Sequence, residues 1–181
     1  MSYIPTIQAA QADAATRATL DAFKAKLGTV PNLFLTLAQA PVALNAYVQL
    51  ADVAAHGTLN AKQREQIALA VGDANACDYC LAAHSAIGTM VGLKPEQIAQ
   101  ARVAQAESVK DRALLQLAKR IVDTRGRVPV AELDAFKAQG HSDATILEVL
   151  VNVVLNIYTN YTNHLADTEI DFPAAPRALA A

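Results

Sequence analysis

The chain has no tryptophan, and its seven glycines and seven prolines are few for 181 residues and fall almost entirely between periodic apolar segments. A domain built of short strands needs frequent turn residues, so this scarcity argues against an all-β fold. Apolar residues make up 53% of the chain, and many of them are alanine and leucine, which favour closely packed helices. We therefore predict an all-α fold with about eight or nine helices.

No low-complexity linker divides the sequence, and a length of 181 residues is typical of one domain with a substantial core. We expect a single domain over residues 1–181. It would begin with an extended arm over about 1–12 and end in a frayed Ala/Pro-rich tail over about 174–181.

Positive charge is also scarce, because 15 lysines and arginines stand against 17 acidic residues and no basic run occurs. This balance makes nucleic acid and anionic membranes poor partners. The sequence contains no stretch of about 20 uninterrupted apolar residues, so we expect no transmembrane helix. The N-terminal segment lacks the basic and apolar regions of a signal peptide, which predicts a cytoplasmic location.

Cysteine is limited to Cys77 and Cys80. Two cysteines do not make the disulfide framework of a small secreted domain, and in a cytoplasmic protein CxxC indicates redox or metal chemistry. His84 lies four residues after Cys80, so all three side chains would share one face of a helix. Asp73 or Asn75 is the expected N-cap of that helix. A thiolate near such an N-terminus and an imidazolium is stabilised.

The spacing of this cluster leaves three interpretations open. It could be a thiol redox centre, which we favour because no second CxxC and no HxxxH accompanies it. It could be a zinc site, in which Glu65, His56 or His164 would add a ligand to the cluster. It could also be two buried cysteines beside a core histidine.

Two further residues lie near the cluster in the sequence. Glu65 precedes Cys77 by twelve residues inside an apolar run, where a carboxylate is costly to bury. Glu65 could accept a thiol proton through His84 or hold the imidazole in the useful tautomer. Tyr79, between the cysteines, is either a packing residue or a phenol donor beside the reaction site.

The last long helix, predicted over about 142–166, carries polar residues every four positions. This stripe either fixes helix packing through a buried amide network or lines the active pocket, so Asn160 and His164 are possible accessory residues. The stripe consists of Glu148, Asn152, Asn156, Asn160 and His164.

The Glu65 and Cys77-x-x-Cys80-x-x-x-His84 pattern resembles the core motif of the AhpD-like alkylhydroperoxidases of the carboxymuconolactone decarboxylase superfamily. The run NIYTNYTNHLADTEIDFP resembles the end of its uncharacterised peroxidase-related members, and the resemblance covers about 30–173. It implies an AhpD-like helical bundle, a homo-oligomer (dimer, trimer or hexamer), and thiol-dependent reduction of hydroperoxides without haem or metal.

The resemblance also implies a role for each residue of the motif. Cys80 corresponds to the peroxidatic cysteine and Cys77 to the resolving cysteine, while His84 and Glu65 correspond to the proton relay. Tyr79 is a departure, because well-known members have a second histidine at this position. No bound cofactor is expected, and an external dithiol, such as a lipoyl group or a thioredoxin-like protein, would reduce the Cys77–Cys80 disulfide.

The working hypothesis is therefore a cytoplasmic, antioxidant thiol peroxidase or disulfide reductase. A redox-sensing oligomer without turnover and a decarboxylase-type lyase acting on an acidic lactone remain alternatives. The lyase is the weaker of the two, because the decarboxylase branch typically lacks the CxxC pair.

Overall fold

The computed structural model describes residues 2–175, and this part of the chain is helical without any β-strand. A short 3-10 turn at Ala9–Gln11 precedes nine α-helices, which confirms the all-α prediction. The helices are α1 (Ala14–Leu27), α2 (Asn32–Leu37), α3 (Pro41–Ala55), α4 (Ala61–Ala74), α5 (Asp78–Met90), α6 (Pro95–Arg102), α7 (Val109–Thr124), α8 (Val130–Ala138) and α9 (Asp143–Ala166).

Short polar side chains start four of these helices. Asp13, Asn60, Ser108 and Ser142 are the N-caps of α1, α4, α7 and α9, and each accepts a hydrogen bond from the backbone N–H three residues later. Each bond satisfies an amide that the helix itself cannot pair, which typically stabilises the helix by about 1 kcal/mol.

The expected N-cap of the CxxC helix was wrong. Helix α4 continues through Asp73 to Ala74, and Asn75 is its C-cap. The residue that starts α5 is Cys77 itself, whose sulfur accepts the Cys80 N–H at 3.3 Å. The turn between α4 and α5 is therefore shorter than the sequence indicated.

Helix α4 is the centre of the fold and packs against α5, α6, α7 and α9. Residues 66–72 of α4 are all buried, including Ile67, Leu69 and Val71, which have no exposed surface. Burying each of these side chains contributes about 1.5–3 kcal/mol. Because α4 is held on all sides, a side chain that it carries has a fixed position.

The buried side chains form two apolar clusters. The larger lies between α4, α6, α7 and α9. The smaller joins α1, α2 and α3 to the start of α5, and it contains Cys77, Tyr79 and Cys80 together with Leu20 and Phe34. The CxxC pair thus lies inside an apolar layer and not on the outer surface.

The segments flanking the helices are tied to the fold. Tyr3 N donates to Ala166 O at 2.7 Å, and Ile7 N donates to Leu35 O at 3.2 Å, so the predicted arm lies along the ends of α9 and α2. Most of the predicted tail, residues 176–181, lies outside the described residues. None of the helices described is long and apolar enough to cross a membrane.

Candidate functional site

The turn between α4 and α5 places the two cysteines. Ala76 has a positive φ of 53°, and Cys77 N donates to Gly72 O at 2.9 Å, which closes α4 in a Schellman motif. Cys77 then begins α5 at once. One residue therefore ends one helix and caps the next.

Cys77 and Cys80 form a disulfide in this structure, with their Cα atoms 5.3 Å apart. That separation lies within the range that a disulfide requires. Cys77 is 1% exposed and Cys80 is 2% exposed. The pair can thus exist as a disulfide without any movement of the backbone, and bulk solvent has little access to either sulfur.

Glu65 and His84 are brought together across the α4–α5 interface. His84 Nδ1 lies 2.8 Å from Glu65 Oε2, and both side chains are about four-fifths buried. A carboxylate at this distance favours the tautomer with hydrogen on Nδ1, which leaves Nε2 as the basic nitrogen. Both residues lie on the wall of a cavity that Cys80 also lines.

This cavity has a volume of about 240 Å³, and its wall is mainly apolar. Phe23 and Phe34 stack in it with their ring centroids 3.8 Å apart, and Tyr47 lies 5.0 Å from Phe34. Partial burial, and to a lesser extent the negative charge of Glu65, raises the pKa of Tyr47 to about 12. The arrangement suits a small apolar molecule presented to Cys80.

The hydroxyl of Tyr79 faces the segment that follows α9. It donates to Asp171 Oδ1 at 2.8 Å and accepts the Leu33 N–H at 3.1 Å. Burial is the main cause that raises the pKa of Tyr79 far above its usual value, and the acceptor Asp171 raises it further. Tyr79 therefore stays protonated and holds α2, α5 and the C-terminal segment together.

The polar stripe of α9 divides into different environments. Glu148 Oε2 accepts from the backbone N–H of Thr58 at 2.8 Å and stabilises the turn before α4. Asn160 is fully buried and accepts from Asn75 Nδ2 at 2.8 Å, which places it outside the cavity lining. His164 is exposed and stacks on Tyr161. The structure therefore puts neither Asn160 nor His164 in the lining of the cavity.

Helix geometry explains why the stripe does not keep to one face. Four residues advance an α-helix by about 400°, so each i, i+4 step drifts about 40°. After four steps His164 lies about 160° from Glu148. Its prediction as part of one polar face was wrong for that reason.

The polar side chains that do face the cavity from α9 lie at mixed spacings of three and four. Asn152, Asn156, Thr159 and Asn163 line it. Asn163 was missed by the sequence reasoning, although its Nδ2 donates to Cys80 Sγ at 3.3 Å. A helical projection of α9, in place of a strict four-residue count, would have found it.

Asp171 was also missed, since it lies in a non-helical segment where no periodicity predicts its position. Its second oxygen accepts the Asn32 N–H at 2.8 Å, at the start of α2. Within residues 2–175, no three or more His, Cys, Asp and Glu side chains gather closely enough to hold a metal ion.

Comparison with known proteins relates this geometry to a family. The sequence matches the carboxymuconolactone decarboxylase family over residues 41–123, which includes Glu65, both cysteines and His84. A search of curated proteins finds no match.

Three solved structures are similar to this chain. The first is an alkylhydroperoxidase AhpD core, an uncharacterised peroxidase-related protein from Ralstonia eutropha JMP134, at TM-score 0.86 and 27% identity over 94% of this chain and 92% of that one. The second is an uncharacterised peroxidase-related protein from Silicibacter sp. TM1040, at TM-score 0.79 and 22% identity over 92% of each chain.

The third is a cysteine-to-alanine variant of the debrominase Bmp8 in complex with 2,3,4-tribromopyrrole, at TM-score 0.81 and 19% identity over 94% of this chain and 92% of that one. At this identity the likeness concerns the fold alone. Residues 41–123 thus match the carboxymuconolactone decarboxylase family, and the chain has the AhpD-like all-α fold.

Proposed function

We propose that this protein is a thiol-dependent hydroperoxide reductase in which Cys80 is oxidised first and Cys77 resolves the product. The observation that carries the proposal is the buried Cys77–Cys80 pair beside the Glu65–His84 contact, on the wall of one apolar cavity. The similarity to an AhpD core at 27% identity supports the same chemistry.

The first step is activation of the Cys80 thiol. Glu65 holds the Nδ1–H of His84, and Nε2 takes the proton of Cys80. The Cys80 thiolate then attacks the distal oxygen of the hydroperoxide. A sulfur–oxygen bond forms and the O–O bond breaks, and its electron pair leaves with the alkoxide, which takes the proton from His84 and departs as an alcohol. Cys80 is left as a sulfenic acid.

The second step forms the disulfide. The Cys77 sulfur attacks the Cys80 sulfur, the sulfur–oxygen bond breaks, and the departing hydroxide takes the Cys77 proton to give water. The Cα separation of 5.3 Å allows this bond without a rearrangement of the turn. An external dithiol, such as a lipoyl group or a thioredoxin-like protein, restores both thiols by two exchange reactions and is itself oxidised to a disulfide. No bound metal or haem enters the cycle.

The roles of Cys80, Cys77, His84 and Glu65 belong to this proposal, as do a cytoplasmic location and a homo-oligomeric state. Tyr79 enters it as a structural residue that supports the cavity wall, because its hydroxyl is occupied by Leu33 and Asp171.

The test is a thiol count on reduced protein before and after one equivalent of cumene hydroperoxide. The wild type should lose two thiols rapidly. Cys77→Ser should give a sulfenic acid that dimedone traps, and Cys80→Ser should not react, so each variant is the matched control of the other. Unchanged wild-type thiols over minutes would refute the peroxidase.

Two further measurements separate the alternatives. Catalytic turnover with a dithiol donor is expected here, whereas a redox sensor would change its assembly once per oxidation and then stop. A lyase would act on a carboxylated lactone even after both cysteines are alkylated, and this outcome would also overturn the proposal.

A further inference from the structure

Asn163 is the polar side chain of α9 that contacts the reacting sulfur. Its Nδ2 lies 3.3 Å from Cys80 Sγ, and the residue is 4% exposed. A hydrogen bond from a buried amide to a thiolate is charge-assisted and stronger than one to a neutral thiol. The sulfur belongs to the Cys77–Cys80 disulfide in this structure, and the same contact in the reduced protein would favour the ionised form of Cys80, the proposed nucleophile.

The carbonyl oxygen of the same amide is the second feature of Asn163. Asn163 Oδ1 is buried and has no hydrogen-bond partner among residues 2–175. A buried carbonyl oxygen without a donor costs about 1–3 kcal/mol. Asn163 lines the cavity next to Cys80, where a bound molecule could supply the missing donor.

We propose that Asn163 is a catalytic residue whose amide spans the forming sulfur–oxygen bond, with Nδ2–H on the Cys80 sulfur and Oδ1 on the O–H of the hydroperoxide. This inference rests on the proposed function and deepens it. The distal oxygen keeps its hydrogen throughout the attack and becomes the sulfenic O–H, so the bond to Oδ1 is present before and after the O–O bond breaks. The amide thereby aims the distal oxygen at the thiolate.

The same geometry defines the substrate class. The cavity wall around the sulfur is largely apolar, and Asn163 Oδ1 offers an acceptor beside it. A compact apolar molecule with one hydrogen-bond donor on the atom to be attacked satisfies both features. An organic hydroperoxide meets this description, whereas a thiol oxidant without a donor leaves Oδ1 unpaired.

The experiment uses the full-length chain in a Cys77→Ser background, so that Cys80 is the single thiol. Asn163→Ala removes both contacts. Asn163→Asp keeps the shape but replaces the donor with a carboxylate that repels the thiolate. Thr162→Ala is the control, because Thr162 lies on α9 outside the cavity and its hydroxyl bonds to Tyr158 O within its own helix.

Two probes separate the two contacts. The first is the pH midpoint of Cys80 alkylation by iodoacetamide, which reports thiolate formation. In Asn163→Ala it should rise by about one to two pH units, as expected for loss of a hydrogen bond to a charged group. In Asn163→Asp it should rise further, and in Thr162→Ala it should not move. Circular dichroism checks that each variant is folded, and the isosteric Asn163→Asp serves if Asn163→Ala is not.

The second probe compares oxidation by cumene hydroperoxide with reaction of methyl methanethiosulfonate, a small thiol reagent that has no hydrogen-bond donor. Above its alkylation midpoint, Asn163→Ala should react with the thiosulfonate within about twofold of the rate of the Cys77→Ser parent. It should remain on the order of tenfold slower with the hydroperoxide. If Asn163→Ala reached the rate of the Cys77→Ser parent with both reagents, the contact between Oδ1 and the substrate would be overturned.

An alkylation midpoint unchanged in both Asn163 variants would overturn the contact with sulfur. If the Cys77→Ser parent reacts with the thiosulfonate but with no hydroperoxide, the peroxidase itself fails. The contact with sulfur is then still judged by the alkylation midpoint alone.

Discussion

The Tyr79 hydroxyl donates to Asp171 at 2.8 Å, and the same carboxylate accepts the Asn32 N–H through its other oxygen. This relationship fastens the segment after α9 to the first turns of both α5 and α2. Phe172, the next residue, meets the ring of Tyr79 edge to face and lines the cavity. The position of Phe172 in the cavity wall therefore depends on the Tyr79–Asp171 hydrogen bond, which takes no part in the proposed reaction.

Replacing Tyr79 with phenylalanine should lower the free energy of unfolding by about 1–3 kcal/mol. The substitution leaves the buried Leu33 N–H without its acceptor and Asp171 Oδ1 without its donor. Urea unfolding followed by circular dichroism measures the change. Tyr161→Phe, at a side chain that is 53% exposed, is the control and should stay within about 0.5 kcal/mol of wild type. A Tyr79→Phe protein as stable as this control would contradict the prediction.

Glu65→Gln should slow the oxidation of Cys80 by on the order of a hundredfold while the protein stays folded. The amide no longer carries the charge that favours the Nδ1–H tautomer of His84, which leaves Nε2 as the base. Stopped-flow oxidation of reduced protein by cumene hydroperoxide gives the rate. Glu132→Gln removes a carboxylate that pairs with Arg120 on the surface, and it should leave the rate unchanged. Similar rates in the two variants would rule out the relay.

The raised pKa of Tyr47 makes stability depend on alkaline pH. In the unfolded chain a tyrosine ionises near pH 10, whereas in the folded protein Tyr47 keeps its proton until about pH 12. Folding therefore gains stability from Tyr47 below pH 10 and loses it as pH rises from 10 to 12, because the unfolded state releases its proton first.

The loss over this interval should be on the order of 2 kcal/mol. Urea unfolding of the oxidised protein at pH 9 and pH 12 measures it, and Tyr47→Phe should show a smaller fall by that amount. Tyr79 lowers stability at high pH in both proteins. The test therefore compares how steeply the free energy of unfolding falls with pH in the wild type and in Tyr47→Phe. Parallel slopes would show that Tyr47 does not keep its proton on folding.

Ala76→Gly should raise the free energy of unfolding by about 0.5–1 kcal/mol. Ala76 is exposed and holds a φ of 53°, which costs an L-residue with a Cβ about 1–2 kcal/mol, and the greater freedom of glycine in the unfolded chain offsets part of the gain. Thermal unfolding measures the effect. Ala18→Gly, at an exposed position inside α1, should instead destabilise by up to about 1 kcal/mol. A loss of stability in both variants would contradict the strain assigned to the positive φ of Ala76.

Local sequence rules predicted much of this molecule. The N-caps Asn60, Ser108 and Ser142 follow such a rule, because an N-cap acts within four residues of itself. Cys80 and His84 were placed on one face by a spacing of four, too short for helical drift to matter. The meeting of Glu65 with His84 needed the packing of α4 on α5, which the sequence suggested only indirectly, through the apolar run around Glu65 and the resemblance to a family.

The features that the sequence did not predict depend on residues that are far apart in the chain. Over a single four-residue step the drift of a helix is small, but over the sixteen residues from Glu148 to His164 it moves the last residue to another face. Asn163 contacts a residue 83 positions away, and Asp171 contacts one 92 positions away. Such partners are set by the course of the whole chain.

The shared use of Cys77 by two helices has a kinetic consequence. Cys77 N–H closes the end of α4 while its sulfur caps the start of α5, so the two helices are joined through Asn75, Ala76 and Cys77 alone. A resolving cysteine on a loose loop must travel to its partner, and local unfolding then limits the rate. In this protein the sulfur needs only a side-chain rotation, a motion of picoseconds to nanoseconds at exposed residues and slower in a packed core. If Cys77 resolves Cys80 as proposed, the lifetime of a sulfenic acid on Cys80 is accordingly set by the bond-forming step and not by local unfolding.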